Sequence, residues 1–224
     1  MDPLPTLQEL ETRVSAEALS RDPESHGMVE ASLNLFSEAI GQLAGLKAST
    51  EAEHVAYWMV VSDFYSLVGA YRLLPAGYYR QAATLVRTAL EDFLSCNYIW
   101  KHPQEASVWL QPNSKLIPRF AEMRKHLGPP LSAKWKETYD LLCEFAHPRG
   151  RALGQIAAQV QRGALEPYFH EKHFFALSRI IVETVFCTLA VVPFLNGAVS
   201  RSGSLRREFD RLQGRFQRWS KNPG

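Results

Sequence analysis

Histidine is the side chain whose ordinary pKa lies near neutrality, and arginine is the one that grips phosphate with a permanent charge. The segment "LLCEFAHPRGRALG", residues 141–154, combines them: His147 is followed by Pro148, and Arg149 and Arg151 flank Gly150. An imidazole so placed could move a proton while the arginines stabilise the charge of a phosphate in its transition state. The same residues also suit a helix end, where histidine meets the negative end of the dipole and proline stops continuation. Spacing alone leaves both readings open.

A second polar group lies upstream, in "AGYYRQAATLVRTALEDFLSCNYIWKHP" (76–103). Arg80, Arg87 and Glu91 recur there at i, i+7 and i+11, within roughly 40° of one another on a helical wheel. They border an apolar face carrying Ala83, Leu94 and Tyr98, while Gln81, Thr84, Thr88 and Asp92 take the fully polar side. Half-buried charges need partners, because desolvating an isolated charge is costly. Arg87 and Glu91 are therefore either a flank ion pair contributing about 0.2–0.5 kcal/mol or one side of a polar site between helices.

Other constellations compete. "EAEH" (51–54) and "EFAH" (144–147) are both Glu-x-x-His, and with Glu91 and Glu183 they match the ligand inventory of a di-metal carboxylate bundle, although in a different chain order. Glu51 also suits the first turn of a helix, so the reading kept ahead of it has no metal ligands and no cofactor. "HEKH" (170–173) reads as a solvated helix start. At the C-terminus, Arg206, Arg207, Arg211, Arg215 and Arg218 accompany an apolar stripe of Leu205, Phe209, Leu212, Phe216 and Trp219. That stripe must dock on something, whether its own bundle, a second copy or an RNA-bound surface.

These residues need elements to position them, and the pattern is helical almost throughout. The chain has 224 residues, 46% hydrophobic and 21% charged, with a formal net charge of +2, so it can bury a core and carries no strong global bias towards nucleic acid or anionic membrane. No alternating strand, GxGxxG or GxxxxGK phosphate loop is present. Helices are expected over residues 5–20, through "MVEASLNLFSEAIGQLAGLK" (28–47), and through "KASTEAEHVAYWMVVSDFYSLVGAYRLLP" (47–75). Others follow over 76–103, from Ser132 to His147, through "EPYFHEKHFFALSRIIVETVFCTLAVVPFL" (166–195), and through "LRREFDRLQGRFQRW" (205–219). "RDPESHG" (21–27) reads as a break, and the prolines at 103, 112, 118, 129 and 130 make the middle a run of short helices and loops.

The expectation is an all-α bundle of four to five long, mostly antiparallel helices with short accessory helices. It divides into an N-terminal helix and linker (1–25), the bundle (26–200) and a basic amphipathic C-terminal helix (201–224). Cys96, Cys143 and Cys187 are widely spaced in apolar runs, which favours free thiols in a reducing cytoplasm over disulfides or zinc. The uncharged stretch from Thr184 to Leu195 is shorter than the roughly 20 residues a span requires, so no membrane association is expected.

The segments "RTALEDF" (87–93) and "YDLLCEFAHP" (139–148) together resemble the HEPN-like superfamily of bacterial helical bundles, with the similarity extending over residues 50–195. The resemblance implies a metal-independent ribonuclease of toxin or phage-defence type, acting as a homodimer on RNA, with a protein partner in some settings. His147 would be the general acid/base, Arg87 and Arg149 would hold the phosphate attacked by the RNA 2′-hydroxyl, and Glu91 would orient Arg87. Arg80, Arg151 and Tyr139 complete the implied substrate-binding set. Active members carry an arginine four to six residues before the histidine. Here the positions from 140 to 143 are Asp140, Leu141, Leu142 and Cys143, so any arginine must come from Arg87 or from the segment after His147. A non-catalytic dimerisation or partner-binding module is the alternative.

Overall fold

A computed structural model describes residues 6–44, 48–111, 115–146 and 169–221. Among the described residues there is no strand, and nine α-helices and one 3-10 helix pack against one another. The helices are α1 (Leu7–Arg21), α2 (Pro23–Gly41), α3 (Glu51–Leu73), α4 (Tyr79–Lys101), α5 (Phe120–Lys125), α6 (Pro129–Ala146), α7 (Glu171–Val191), α8 (Pro193–Arg201) and α9 (Gly203–Trp219), with the 3-10 helix at Pro103–Leu110. The all-α expectation holds.

Local chemistry explains the boundaries. Thr6 and Thr50 each close a capping box with the glutamate three residues on, Glu9 and Glu53, so α1 and α3 begin with their free amides satisfied. The break expected over residues 21–27 contracts to one residue. Asp22 ends α1, its side chain accepts from the Ser25 amide, and Pro23 takes the first position of α2. Proline misled in the same way twice more. Pro129 and Pro130 occupy the first turn of α6, which therefore begins before Ser132. Pro193 ends α7 and opens α8, a helix that the pattern did not suggest. Proline is tolerated where no helical amide bond is required, and it starts helices as well as stopping them.

Helices α3 and α4 form the most extensive pair. They are joined by a tight turn in which Tyr78 donates its amide to the Leu73 carbonyl and Gly77 adopts φ 85°, a conformation that side chains disfavour. The pair approaches closely: a Cβ at Gly69 would stand 3.0 Å from Leu85 Cδ1. α4 also packs on α6 and α7, α7 packs on α2, and α9 lies against α2 and α8. Val29, Leu33, Phe36, Phe93, Trp135, Leu142, Phe174 and Leu177 fill the core. Helix α7 is long and apolar enough to cross a membrane by length and composition, but two-thirds of its most apolar stretch is buried inside the bundle. Leu205, Phe209, Leu212 and Trp219 of α9 are buried, so the C-terminal stripe docks on its own bundle.

The core contains a carboxylic acid. Asp63 of α3 is wholly buried, with Oδ2 accepting from Thr188 Oγ1 of α7 at 2.9 Å. Burial holds its pKa well above the usual carboxylate range, and the nearby charge of Asp92 adds to the effect. Asp92 on α4 is itself pushed up to about 6, first by burial, despite a hydrogen bond with Ser62. Between them, the Cys96 thiol donates to the Ala56 carbonyl and is raised by the same burial, so it is a poor nucleophile. All three cysteines are free.

The folded pKa of Asp92 exceeds its unfolded value, so the fold binds the proton more tightly and loses stability as pH rises from about 4 through about 6. Asp92→Asn removes the penalty. Melting curves should show the variant stabilised by about 1–2 kcal/mol at pH 8 and indistinguishable from wild type at pH 4. Equal effects at both pH values would disprove the linkage.

Candidate functional site

The seam between α4 and α6 gathers the described polar residues. Antiparallel packing sets Glu91 opposite Tyr139 and, about three turns back along α4, Arg80 opposite Ala146. The Tyr139 hydroxyl donates to Glu91 Oε1 at 2.9 Å. Arg87 Nε stands 3.8 Å from that same oxygen, an ion pair rather than a hydrogen bond. The Arg87 side chain is 24% exposed and that of Glu91 39%, which agrees with the half-buried position read from the wheel. Arg87 Nε has no hydrogen-bond partner among the described residues. Burial and the Glu91 carboxylate push the Tyr139 phenol well above its ordinary pKa, so it acts as a donor and not as a base.

The Tyr139 ring stacks on Phe120 of α5, with centroids 3.7 Å apart and planes inclined by 23°. Here α4, α5, α6 and the 3-10 helix enclose a cleft of about 650 Å³ whose lining includes Glu91, Tyr139, Phe120, Trp109, Arg119 and Lys136. Lys136 is paired with Asp140 at 2.7 Å. Aromatic faces and cations thus alternate around the network. Phe120 and Trp109 lie in the proline-punctuated middle, where no periodicity marks them.

Arg80 is separate. It sits about 10 Å along α4 from Arg87 and donates from Nε to the Ala146 carbonyl at 3.0 Å. That bond satisfies one of the orphan carbonyls at the end of α6. The neighbouring Tyr79 accepts from the His170 amide at 2.8 Å through its hydroxyl. His173 meets the edges of both Tyr79 and Phe145, and stacks on His170 with centroids 3.7 Å apart. The first turn of α4 therefore ties down the end of α6 and the start of α7 together. His170 also caps α7, accepting from the His173 amide, so "HEKH" is a packed corner and not simply a solvated helix start.

His147, Arg149 and Arg151 lie outside the described residues. Of the expected set, Arg87, Glu91 and Tyr139 come together, and Arg80 stands two turns away, beside the residue that precedes His147. Of the described members of the di-metal constellation, Glu183 and His54 are engaged elsewhere. Glu183 is ion-paired with Lys134 at 3.1 Å and Arg179 at 3.6 Å, and His54 Nδ1 donates to the Thr50 carbonyl at 3.0 Å. No group of three or more His, Cys, Asp or Glu among the described residues is arranged to hold a metal ion. The basic face of α9 is partly neutralised within the helix: Arg206 pairs with Asp210, and Arg211 with Glu208.

Tyr139→Phe removes one hydrogen bond and leaves the ring stack in place. It should destabilise the protein by about 1 kcal/mol, seen as a drop of roughly 2–4 °C in Tm. An unchanged melting temperature would mean that water replaces the hydroxyl without cost. The chain matches no family model, no curated protein and no solved structure.

Proposed function

We propose that the protein acts on RNA in the cytoplasm as a metal-independent ribonuclease, of the toxin or phage-defence kind that the resemblance implies. The observation that carries this reading is the corner at the first turn of α4. Arg80 holds the carbonyl immediately before His147, and Tyr79 holds the amide at the start of α7. Ala146 and His170, which flank the stretch of sequence containing His147, Arg149 and Arg151, are thus both held by the first turn of α4, beside cationic and imidazole side chains. Transesterification by a 2′-hydroxyl needs a group to take its proton, a group to protonate the departing 5′-oxygen, and positive charge on the phosphate. His147 supplies the proton transfer, and arginines from α4 and from that segment supply the charge. The aromatic cleft beyond Tyr139 suits unstacked bases of a single strand, because stacking on aromatic faces is sequence-tolerant and works alongside backbone-directed cations.

A second reading has its own support. Glu91, Tyr139 and Arg87 are engaged with one another, as in a structural network that stiffens a non-catalytic partner-binding module.

The two separate on one experiment: cleavage of mixed cellular RNA in excess EDTA by the wild type, His147→Ala and Arg80→Ala. Metal-free cleavage should be lost in His147→Ala, by a factor of at least about 100, and reduced in Arg80→Ala. Cleavage that survives His147→Ala would overturn the assigned roles. Absence of cleavage by wild type would favour the module.

A further inference from the structure

The outward side of α3 carries an apolar seam that the described residues leave largely exposed. Trp58 is 56% exposed and Tyr65 69% exposed, the largest aromatic surfaces the protein shows among the described residues. With Val61 and Val68, both partly exposed, they fall at positions 58, 61, 65 and 68. His54 and Arg72, both exposed, extend the series at either end. The spacing of 4, 3, 4, 3 and 4 residues is that of a helix-packing seam, not of a solvated face. Between Val55 and Tyr71 the only charged residue is Asp63, and that side chain is wholly buried on the opposite side. An uncharged, aromatic-rich strip of this length, in a chain where 21% of residues are charged, has the composition of an interface core.

The seam is also complementary to itself. In an antiparallel pair of α3 helices, residues whose numbers are symmetric about one position lie at the same height. Positions 54 and 72, 58 and 68, and 61 and 65 are all symmetric about 63. Each pair matches a large side chain with a small one: Trp58 faces Val68, and Tyr65 faces Val61. Helical side chains lean towards their own N-terminus, which carries the Arg72 guanidinium towards the Trp58 ring of the opposing helix, a favourable cation–π arrangement. Glu51 and Glu53 at the start of one helix and Arg72 at the end of the other give matching charge at both ends, and antiparallel helix dipoles agree with it. Gly69 lets Leu85 of α4 lie close over α3 beside Val68, and Leu85 is itself only partly buried.

We propose that α3 is the self-association face of this protein, and that two copies pair through antiparallel α3 helices about a two-fold axis at the height of residue 63. The contact is isologous, so it closes on a dimer and does not propagate. The seam from His54 to Arg72 is about 27 Å long, and its burial in two copies is on the order of 1,000 Å², the lower bound for a specific interface. The proposal is independent of any activity on RNA.

Sedimentation velocity of the full chain at roughly 100 µM, a concentration suited to an interface of that size, provides the test. Wild type should sediment at twice the 25.4 kDa chain mass. Tyr65→Lys, at a position too exposed to affect folding, should weaken the dimer by at least about tenfold with an unchanged far-UV spectrum, because it leaves an unpaired charge in the contact. Tyr65→Phe should preserve it. Val61→Cys, on the seam two residues from the axis, should be captured as a dimer by a short bismaleimide far more efficiently than wild type with its own three cysteines. A monomeric wild type would overturn the proposal. So would a dimer indifferent to Tyr65→Lys, or a dimer in which Val61→Cys is not captured.

Discussion

Helix α4 has to satisfy three long neighbours at once, and the remaining architecture follows from how it does so. α3, α6 and α7 each lie against it. Its alanines, Ala82, Ala83 and Ala89, are fully buried, so close approach is possible on more than one side. A helix enclosed in this way has only narrow edges left for polar residues. Arg80, Arg87 and Glu91 occupy such an edge, and their surroundings are set by the packing of α6. The first turn of α4 then carries a disproportionate share of the topology, since Tyr79 and Arg80 hold the ends of two other helices. Both ends are held through backbone atoms, so this geometry does not depend on the side chains of Ala146 and His170.

The carboxylates drawn into the bundle each find a partner on a second helix. Asp63 has Thr188, Glu183 has Lys134 and Arg179, and Glu91 has Tyr139. In each case one partner comes from a distant part of the chain. Such pairs add little net energy compared with apolar packing, because desolvation offsets much of the attraction. Their effect is on register: sliding α7 by one turn against α3 would strand the Asp63 carboxyl without its donor.

How much of this was legible in the sequence depends on the range of the interaction. Periodicity marked the helices whose inner faces carry Val29, Leu33 and Phe36 and Trp135 and Leu142, and the wheel placed Arg87 and Glu91 at a half-buried edge. Glu51 suited the first turn of a helix, and it lies in the first turn of α3. The bond from Tyr139 to Glu91 spans 48 residues, and no local window encodes it. Phe120 joins the cleft only because α5 folds back on α6, and the two prolines in the first turn of α6 pointed to a break where a helix begins. One signal was present and unused: a lone aspartate within a long uncharged helical run, Val55 to Tyr71, marks a buried acid more specifically than any short motif in the chain. The composition of that same run also marks the outward seam of α3, because one side had to be core and the other was left apolar without need. His147, Arg149 and Arg151 lie outside the described residues, and the corner that holds Ala146 and His170, on either side of them in sequence, is what the structure adds.

The state of Asp63 also bears on how folding exchanges matter with the solvent. A carboxyl that is ionised in the unfolded chain and protonated inside the bundle takes up one hydrogen ion when the protein folds. Between the unfolded and folded pKa of this carboxyl, the folded molecule carries up to one more positive charge than the unfolded chain, and its electrophoretic mobility shifts with it. The heat of unfolding measured in a calorimeter then includes the ionisation heat of whichever buffer accepts the released ion, so the apparent enthalpy differs between phosphate and Tris although the protein's own transition is the same.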